Sequence, residues 1–288
     1  AEGQYKLGDF VFGSNTNVRV TSFGKESDET QNMDLPVSRT DELRFGKDSI
    51  TPTPITMEML ILDNHDLLTG NPIGMPAGEA QEKLKYEWRN DVGRRIWNAQ
   101  KPLYYCRRGI QKVVFGRPRK FTQGMDKKHN CIRVVCDYQP VDIMSYGAIE
   151  YGDTVIPTAN GVMPGEIVRG NLMDHGKVVP GGSCDGWCRF ILNGPINKPV
   201  IELSTGQKIT VDYNLPAGVV LEISSYPWQR RVVTSTNLSL SARLIENSPY
   251  LDEIRIPPNE TVNFGLHGTG TTSATNLIAL WREAYATV

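Results

Sequence analysis

The strongest constraint on the fold is an alternation of apolar and polar residues between Gly186 and Ile223. Within this stretch Ile209, Val211 and Tyr213 share one face, while the residues between them are polar. Successive side chains of a β-strand point to opposite faces of the sheet, so a period of two indicates half-buried antiparallel strands. Short apolar segments bounded by turn residues repeat through the stretch, and together they predict a β-sandwich.

The N-terminal half shows the same period in one long strand. Ile55, Met57, Met59 and Ile61 alternate with more polar neighbours, which predicts a strand with one buried face. Phe10 lies in a Gly- and Asn-punctuated segment that favours a hairpin.

One helix is predicted, between Pro76 and about Gln100. Apolar residues recur there every four positions, and this spacing places a stripe on one side of a helix. The stripe consists of Ala80, Leu84, Trp88, Val92 and Ile96. Packing of this stripe onto a sheet is the interpretation we adopt, with a partner-binding face as the alternative.

The length allows one large domain or two ordinary domains, and a break in composition favours two. The chain has 288 residues with 27 Gly and 18 Pro, which suits many short strands joined by turns. The segment from Val155 to Gly186 is rich in Gly, Pro and Asn and is interpreted as the connection between domains. We therefore predict an N-terminal domain with its linker over 1–185 and a C-terminal sandwich over 186–288. The final segment, which contains Trp281, is interpreted as a closing strand.

Charge and hydropathy exclude several classes. Thirty-one Lys and Arg balance 32 Asp and Glu, so the net charge of −1 provides no bulk attraction to nucleic acid or to an anionic membrane. No apolar run approaches the ~18–20 residues of a membrane span. The N-terminal residues lack a basic start and an apolar core, so we expect no signal peptide and synthesis in a reducing cytoplasm.

The cysteines and histidines do not predict a metal or an active site. Five cysteines without a repeating framework favour free thiols. Cys184 and Cys188, with His175, could supply three zinc ligands, but a structural zinc requires four and no fourth lies at a suitable spacing. The four histidines lie in predicted turns without a neighbouring nucleophile. We expect no cofactor and no catalysis.

Basic residues cluster in the middle of the chain. Arg117, Arg119 and Lys120 lie in and beside the segment Gly116–Arg119, which is predicted to be a turn, and a second basic connection follows at Lys127–His129. Such residues could contact phosphate or could form a basic edge that faces another subunit. The sequence leaves both possibilities open.

In the order of its short motifs, the chain resembles the distal tail proteins of long-tailed phages with non-contractile tails, particularly those infecting actinobacteria. The resemblance covers nearly the whole chain. Its motifs are Asp9–Gly13, Arg39–Gly46, Ile55–Leu60, Trp88–Trp97, Val113–Phe121, Asn193-Gly194, Pro199–Leu203 and Leu280–Tyr285.

This resemblance implies a mainly β protein with two parts. A β-barrel-like N-terminal domain with one long helix would close into a hexameric ring at the tail tip, and a galectin-like β-sandwich would lie outside it. The ring would join the tail tube protein to the tail hub and fibre proteins around a channel through which DNA passes without specific binding. Arg117, Arg119 and Lys120 would then face a neighbouring subunit or the channel. The protein would reside in the virion after assembly in the host cytoplasm.

Two alternative functions remain. A carbohydrate-binding protein for host attachment would use the sandwich and exposed aromatic residues such as Tyr226 or Trp228. A cell-wall hydrolase would use a pair of carboxylates whose separation in space the sequence does not give.

Overall fold

The computed structural model describes residues 2–25, 28–32, 34–36, 43–44, 49–63, 75–89, 95–126, 131–156, 176–178, 181–245 and 247–286. These residues form many antiparallel strands and one α-helix. The prediction of a mainly β protein with a single helix is confirmed.

The chain divides into two compact units, which we call the N-terminal unit (residues up to Ala148) and the sandwich unit (Ile149–Tyr285). The boundary between the two units, after Ala148, lies earlier in the sequence than the predicted boundary at 185/186. The reason is that a strand beginning at Tyr151 pairs with the strand that ends at Trp281. The prediction that residues 1–185 and 186–288 act as separate functional domains stays a prediction.

The N-terminal unit contains thirteen described strands. Their bounds are β1 (Gln4–Leu7), β2 (Phe10–Gly13), β3 (Val18–Lys25), β4 (Glu29–Gln31), β5 (Leu35–Pro36), β6 (Leu43–Arg44), β7 (Ser49–Thr51), β8 (Ile55–Leu62), β9 (Leu103–Arg107), β10 (Ile110–Val114), β11 (Gly116–Asp126), β12 (Cys131–Pro140) and β13 (Ser145–Gly147).

Two sheets of this unit share one core. The first has the order β2-β1-β9-β10-β13, the second has the order β11-β12-β8-β3, and β4-β7 and β5-β6 form two small pairs. The predicted stripe of Ile55, Met57, Met59 and Ile61 on β8 is fully buried, as the period of two requires. Among the described residues hydrogen bonding does not close the sheets into a cylinder, so the barrel-like part of the prediction corresponds to two open sheets.

The helix α1 (Ala77–Arg89) covers this core. Ala80, Leu84 and Trp88 are fully buried, which confirms that this part of the stripe packs against the sheets. The carboxylate of Asp63 accepts a hydrogen bond of 2.8 Å from the backbone N–H of Ala77, and this contact satisfies one of the amides that a helix leaves unpaired at its start.

The last part of the predicted helical stripe is wrong. Ile96 lies in a turn and is 56% exposed, and Val92 lies outside the described residues. The spacing of four residues therefore does not predict the environment of Ile96, which is exposed although it falls on the apolar stripe.

The sandwich unit contains twelve described strands and one short 3₁₀ helix (Ser241–Arg243). Its strands are β14 (Tyr151–Val155), β15 (Gly176–Val178), β16 (Cys188–Asn193), β17 (Ile196–Leu203), β18 (Lys208–Val211), β19 (Asn214–Leu215), β20 (Val220–Ser224), β21 (Arg231–Thr234), β22 (Leu244–Ile245), β23 (Val262–Thr269), β24 (Asn276–Trp281) and β25 (Ala284–Tyr285).

Two sheets pack face to face in this unit. Their orders are β14-β24-β16-β20-β21 and β15-β23-β17-β18-β22, and β19 pairs with β17. The rings of Phe190 on β16 and Phe264 on β23 meet across the core, 6.2 Å between centroids. Ile209 and Val211 are buried as predicted, whereas Tyr213 lies beyond the end of β18 and is only partly buried. The predicted closing strand is confirmed as β24.

Candidate interaction surface

The predicted basic residues lie on a strand, and their prediction as a turn is wrong. Arg117 is on β11 and pairs with Gln139 on β12. The register of this pair shifts between Pro118 and Phe121, where β11 carries one extra residue. Arg119 and Lys120 occupy this bulge, and both are exposed.

Local chemistry explains both the turn-like sequence and the strand. Proline has no N–H to donate to a ladder, and proline within a sheet is found at edges and bulges. Pro118 immediately precedes the bulge, at a point where the ladder is already irregular. At Gly116 a Cβ atom would lie 2.1 Å from the carbonyl oxygen of Gln139, so only glycine permits this close approach of β11 to β12.

Arg117 stabilises a neighbouring turn through hydrogen bonds. Its Nη2 donates to the carbonyl oxygen of Ile96 over 2.8 Å, and its Nε donates to the carbonyl oxygen of Ala99. The turn held in this way carries Trp97, whose side chain is 95% exposed. Carbonyl oxygens satisfy the N–H groups of Arg117 but do not cancel its charge, so the guanidinium remains a positive group at this surface.

Around this turn lies a cleft of about 660 Å³, which we call the basic cleft. Among the described residues that line it are three arginines and no acidic residue, together with exposed apolar side chains. It is lined by Arg95, Ile96, Trp97, Asn98, Gln100, Arg117, Arg119, Gln139, Pro140 and Val141. The structure thus brings Arg117 and Arg119 together, whereas Lys120 does not line the cleft.

Sequence reasoning missed Trp97 as a surface residue. The sequence placed it at the end of a predicted helix, where a tryptophan is ordinarily read as part of a core. One signal is that the apolar stripe ends at the polar residue Gln100, and a second is the group of arginines on β11. Combining the two signals requires knowledge of which distant segments lie together.

A second cleft, of about 710 Å³, lies between α1 and the β1–β2 hairpin, and we call it the acidic groove. It contains four acidic residues and one lysine. Its lining is Asp9, Phe10, Val11, Met75, Glu79, Glu82, Lys83, Tyr86 and Glu87. Tyr86 is 76% exposed and Val11 42%, so this groove also presents apolar surface to solvent.

Two ion pairs belong to the acidic groove. Lys83 lies 2.8 Å from Glu79 on the exposed face of α1, one turn away. Glu87 pairs with Lys101, and both of these side chains are largely buried. Because Lys101 does not line the groove, the charge that the groove presents is dominated by its carboxylates.

The described residues of the two clefts do not form a metal site. In the described part of the chain no three His, Cys, Asp or Glu residues are grouped so that they could hold a metal ion. His65, His129 and His175 lie outside the described residues, and the Nε2 atom of His267 lies 3.1 Å from a carboxylate oxygen of Glu202.

All five cysteines are described, and none is bonded to another. Cys136 and Cys188 are fully buried. Burial disfavours the thiolate form, and it raises the pKa of the Cys188 thiol to about 12 even though a hydrogen bond from Ser225 acts in the opposite direction. Such thiols are inert packing groups.

The aromatic residues named for the carbohydrate-binding alternative are not exposed, and that part of the prediction is wrong. Tyr226 is 2% exposed and Trp228 is 7% exposed. Their rings stack on each other at 4.6 Å, and the hydroxyl of Tyr226 lies 3.1 Å from the carboxylate of Glu150. These residues are used for packing and are not available to stack on a sugar.

Among the described residues there is also no helix with the length and hydropathy needed to cross a membrane.

The molecule is thus a mainly antiparallel β protein of two units, with two oppositely charged clefts on the first. Its fold is similar over the whole chain to that of two phage proteins. One is the SPP1 Dit (gp 19.1) protein, described as a paradigm of the hub adsorption apparatus in Gram-positive infecting phages, with a TM-score of 0.56, 12% identity and 98% of each chain covered. The other is a chain of the phage P2 baseplate in its activated conformation with Ca, with a TM-score of 0.54, 11% identity and 99% of each chain covered.

No protein-family model matches the sequence. No curated protein matches it either. At 11–12% identity the structural likeness shows the fold alone.

Proposed function

We propose that the chain is a structural protein of a phage tail tip. In this proposal it forms a hexameric ring that joins the tail tube to the tail hub and fibre proteins and surrounds a channel for DNA. The protein would act in the virion, at the tail tip, after assembly in the host cytoplasm.

The observation that carries this proposal is the extent of the structural likeness. The similarity to the SPP1 Dit protein covers 98% of both chains, so both units and their order along the sequence are included. A likeness limited to one sandwich would be weak support, because sandwiches serve many functions. A likeness that includes two different units in the same order along the sequence is a more specific resemblance.

The surface of the N-terminal unit supports an assembly role. Trp97 and Tyr86 are large, exposed side chains in clefts that also carry charged residues. Aromatic residues and arginine are enriched at protein–protein interfaces. We therefore assign the ring contacts to the N-terminal domain, with the C-terminal sandwich outside the ring, and we assign no catalytic role and no cofactor to the chain.

Two measurements test the proposal. Native mass spectrometry and negative-stain microscopy of the full chain should show a closed ring, with six copies the expected number. Immunogold labelling of virions should place the protein at the tip of the tail. A chain that remains monomeric at every concentration, or a label found along the tail tube or on the capsid, would contradict the proposal.

A further inference from the structure

We propose that the basic cleft of one copy receives the acidic-groove face of the next copy, so that these two clefts form the repeated contact of the ring. This inference rests on the proposed function, since it specifies how the ring would be built. In this proposal the partner of both clefts is another copy of this chain.

The first argument is charge. Among the described lining residues, the basic cleft has three arginines and no acidic residue, whereas the acidic groove has four acidic residues and one lysine. The whole chain carries a net charge of only −1, so this segregation is a local feature of the N-terminal unit. Two copies that approach in this orientation attract each other, and two copies that present the same cleft repel each other.

The second argument is the apolar surface inside each cleft. Trp97 is 95% exposed in the basic cleft, and Tyr86 is 76% exposed in the acidic groove. A tryptophan or tyrosine in the middle of a charged patch supplies the apolar area that an interface buries, and these residue types with arginine are the usual hot spots. Arg117 holds the turn of Trp97 in place through backbone carbonyls, so the anchor is positioned before any partner binds.

The third argument is symmetry. The two clefts share no lining residue and lie on the same unit. A contact between two different surfaces of the same chain is heterologous, and such contacts generate rings when the rotation closes. A ring is therefore the assembly that a complementary pair of surfaces on one unit favours.

The test uses charge reversal at exposed residues of the full-length chain. The cleft variant is Arg95→Glu with Arg119→Glu, and the groove variant is Asp9→Lys with Glu82→Lys. Arg117 is left unchanged because it stabilises the turn. The matched control is Arg19→Glu with Glu29→Lys, which reverses exposed charges that line neither cleft.

Each single-face variant should fold with an unchanged circular dichroism spectrum and should weaken self-association about a hundredfold, because like charges now face each other. The control should assemble as the wild type does. An equimolar mixture of the two variants should restore the ring, since each reversed cleft then meets a reversed groove and each native cleft meets a native groove. Native mass spectrometry should find equal numbers of the two variants in each mixed ring.

Each other outcome is decisive. Normal assembly of the single-face variants would overturn the pairing of these two clefts. The pairing would also be overturned if neither the mixture nor a chain carrying all four substitutions assembled. In both cases the proposed function would stand as long as the wild-type chain forms a ring. If the wild-type chain never assembles, the proposed function falls and this inference falls with it. If the cleft variant loses binding to duplex DNA but keeps normal assembly, the basic cleft is a DNA-facing surface and the inference is wrong.

Discussion

The two units of this molecule use the same residue type for opposite purposes. In the N-terminal unit Trp97 is 95% exposed on a turn held by an arginine, whereas in the sandwich unit Trp228 is 7% exposed and stacks on Tyr226. An aromatic residue in a β-rich sequence therefore does not by itself mark an interaction surface. What distinguishes the two positions is whether another side chain covers the ring. Tyr226 stacks on Trp228, and Tyr226 itself contacts the distant Glu150. Trp97, in contrast, is left exposed on its turn.

The largest expected effect tests this comparison directly. Trp228→Ala should lower the free energy of unfolding by about 3–5 kcal/mol, because it removes a buried ring and leaves a cavity beside Tyr226. Trp97→Ala should change it by less than about 0.5 kcal/mol, since an exposed side chain loses little on truncation. Urea denaturation monitored by circular dichroism measures both. Equal losses in the two variants would contradict the assignment of Trp97 to the surface.

The next effect concerns the turn that presents Trp97. Arg117→Gln should cost about 1–2 kcal/mol, because the charged N–H groups that bond the carbonyls of Ile96 and Ala99 are lost. The matched control is Lys120→Gln, an exposed neighbour on the same strand, with an expected change within about 0.5 kcal/mol. Thermal denaturation of both variants gives the comparison. A neutral Arg117→Gln would mean that the turn is held by other contacts.

A smaller effect should appear at alkaline pH in the interior of the sandwich. The pKa of Cys188 rises from 9.0 to about 12 on folding because burial disfavours the thiolate. Its contribution to stability is fully present below pH 9 and is lost as the pH rises towards 12, because the unfolded chain releases the proton first. At pH 10 the loss should be about 1 kcal/mol.

The measurement for Cys188 is the slope of stability against pH between 9 and 11. The free energy of unfolding should fall less steeply with pH in Cys188→Ala than in the wild type. The difference between the two slopes should correspond to the release of one proton. Cys184→Ala is the matched control, because it retains Cys188 and should retain that contribution. Identical slopes in the wild type and in Cys188→Ala would refute the burial effect.

The smallest effect sharpens the contrast between the two clefts. Lys83→Gln should cost only about 0.3–0.5 kcal/mol, since its ion pair with Glu79 is half exposed on a helix surface. The same substitution removes the one cation among the described residues that line the acidic groove, so we expect it to strengthen self-association slightly. Lys85→Gln, on the same helix and outside the groove, should not. Sedimentation velocity of both variants would test this, and weaker association of Lys83→Gln would contradict the proposed pairing.

The fold could be predicted wherever a pattern in the sequence reports the local environment. The stripe Ile55, Met57, Met59 and Ile61 was predictable because a strand with one buried face needs no information about its partner. The closing strand at Trp281 was predictable for the same reason.

The candidate surface could be predicted only in part. Arg117 and Arg119 were recognised as a basic group, but the chain around Pro118 was predicted as a turn because proline and glycine are frequent in both turns and bulges. A bulge is defined by the register of one strand against a second strand. The sequence of β11 alone does not determine its register against β12. The exposure of Trp97 and the burial of Trp228 depend in the same way on residues far along the chain.

One feature of the sandwich unit has a consequence for how the chain leaves the ribosome. The strand β24 lies between β14 and β16, so that Trp281 pairs with Tyr151 on one side and with Cys188 on the other. This central strand is synthesised after both of its neighbours. Until it emerges, the nascent chain holds two strands whose facing edges have no partner, and such edges recruit strands from other chains.

A central strand that follows both of its neighbours in the sequence therefore affects the solubility of the segments translated before it. A chain that stops ahead of Asn276 would lack β24 and β25. The loss of β24 would expose the edges of β14 and β16 and divide a sheet. Products truncated ahead of Asn276 should accumulate in inclusion bodies, whereas the product that contains β24 should not.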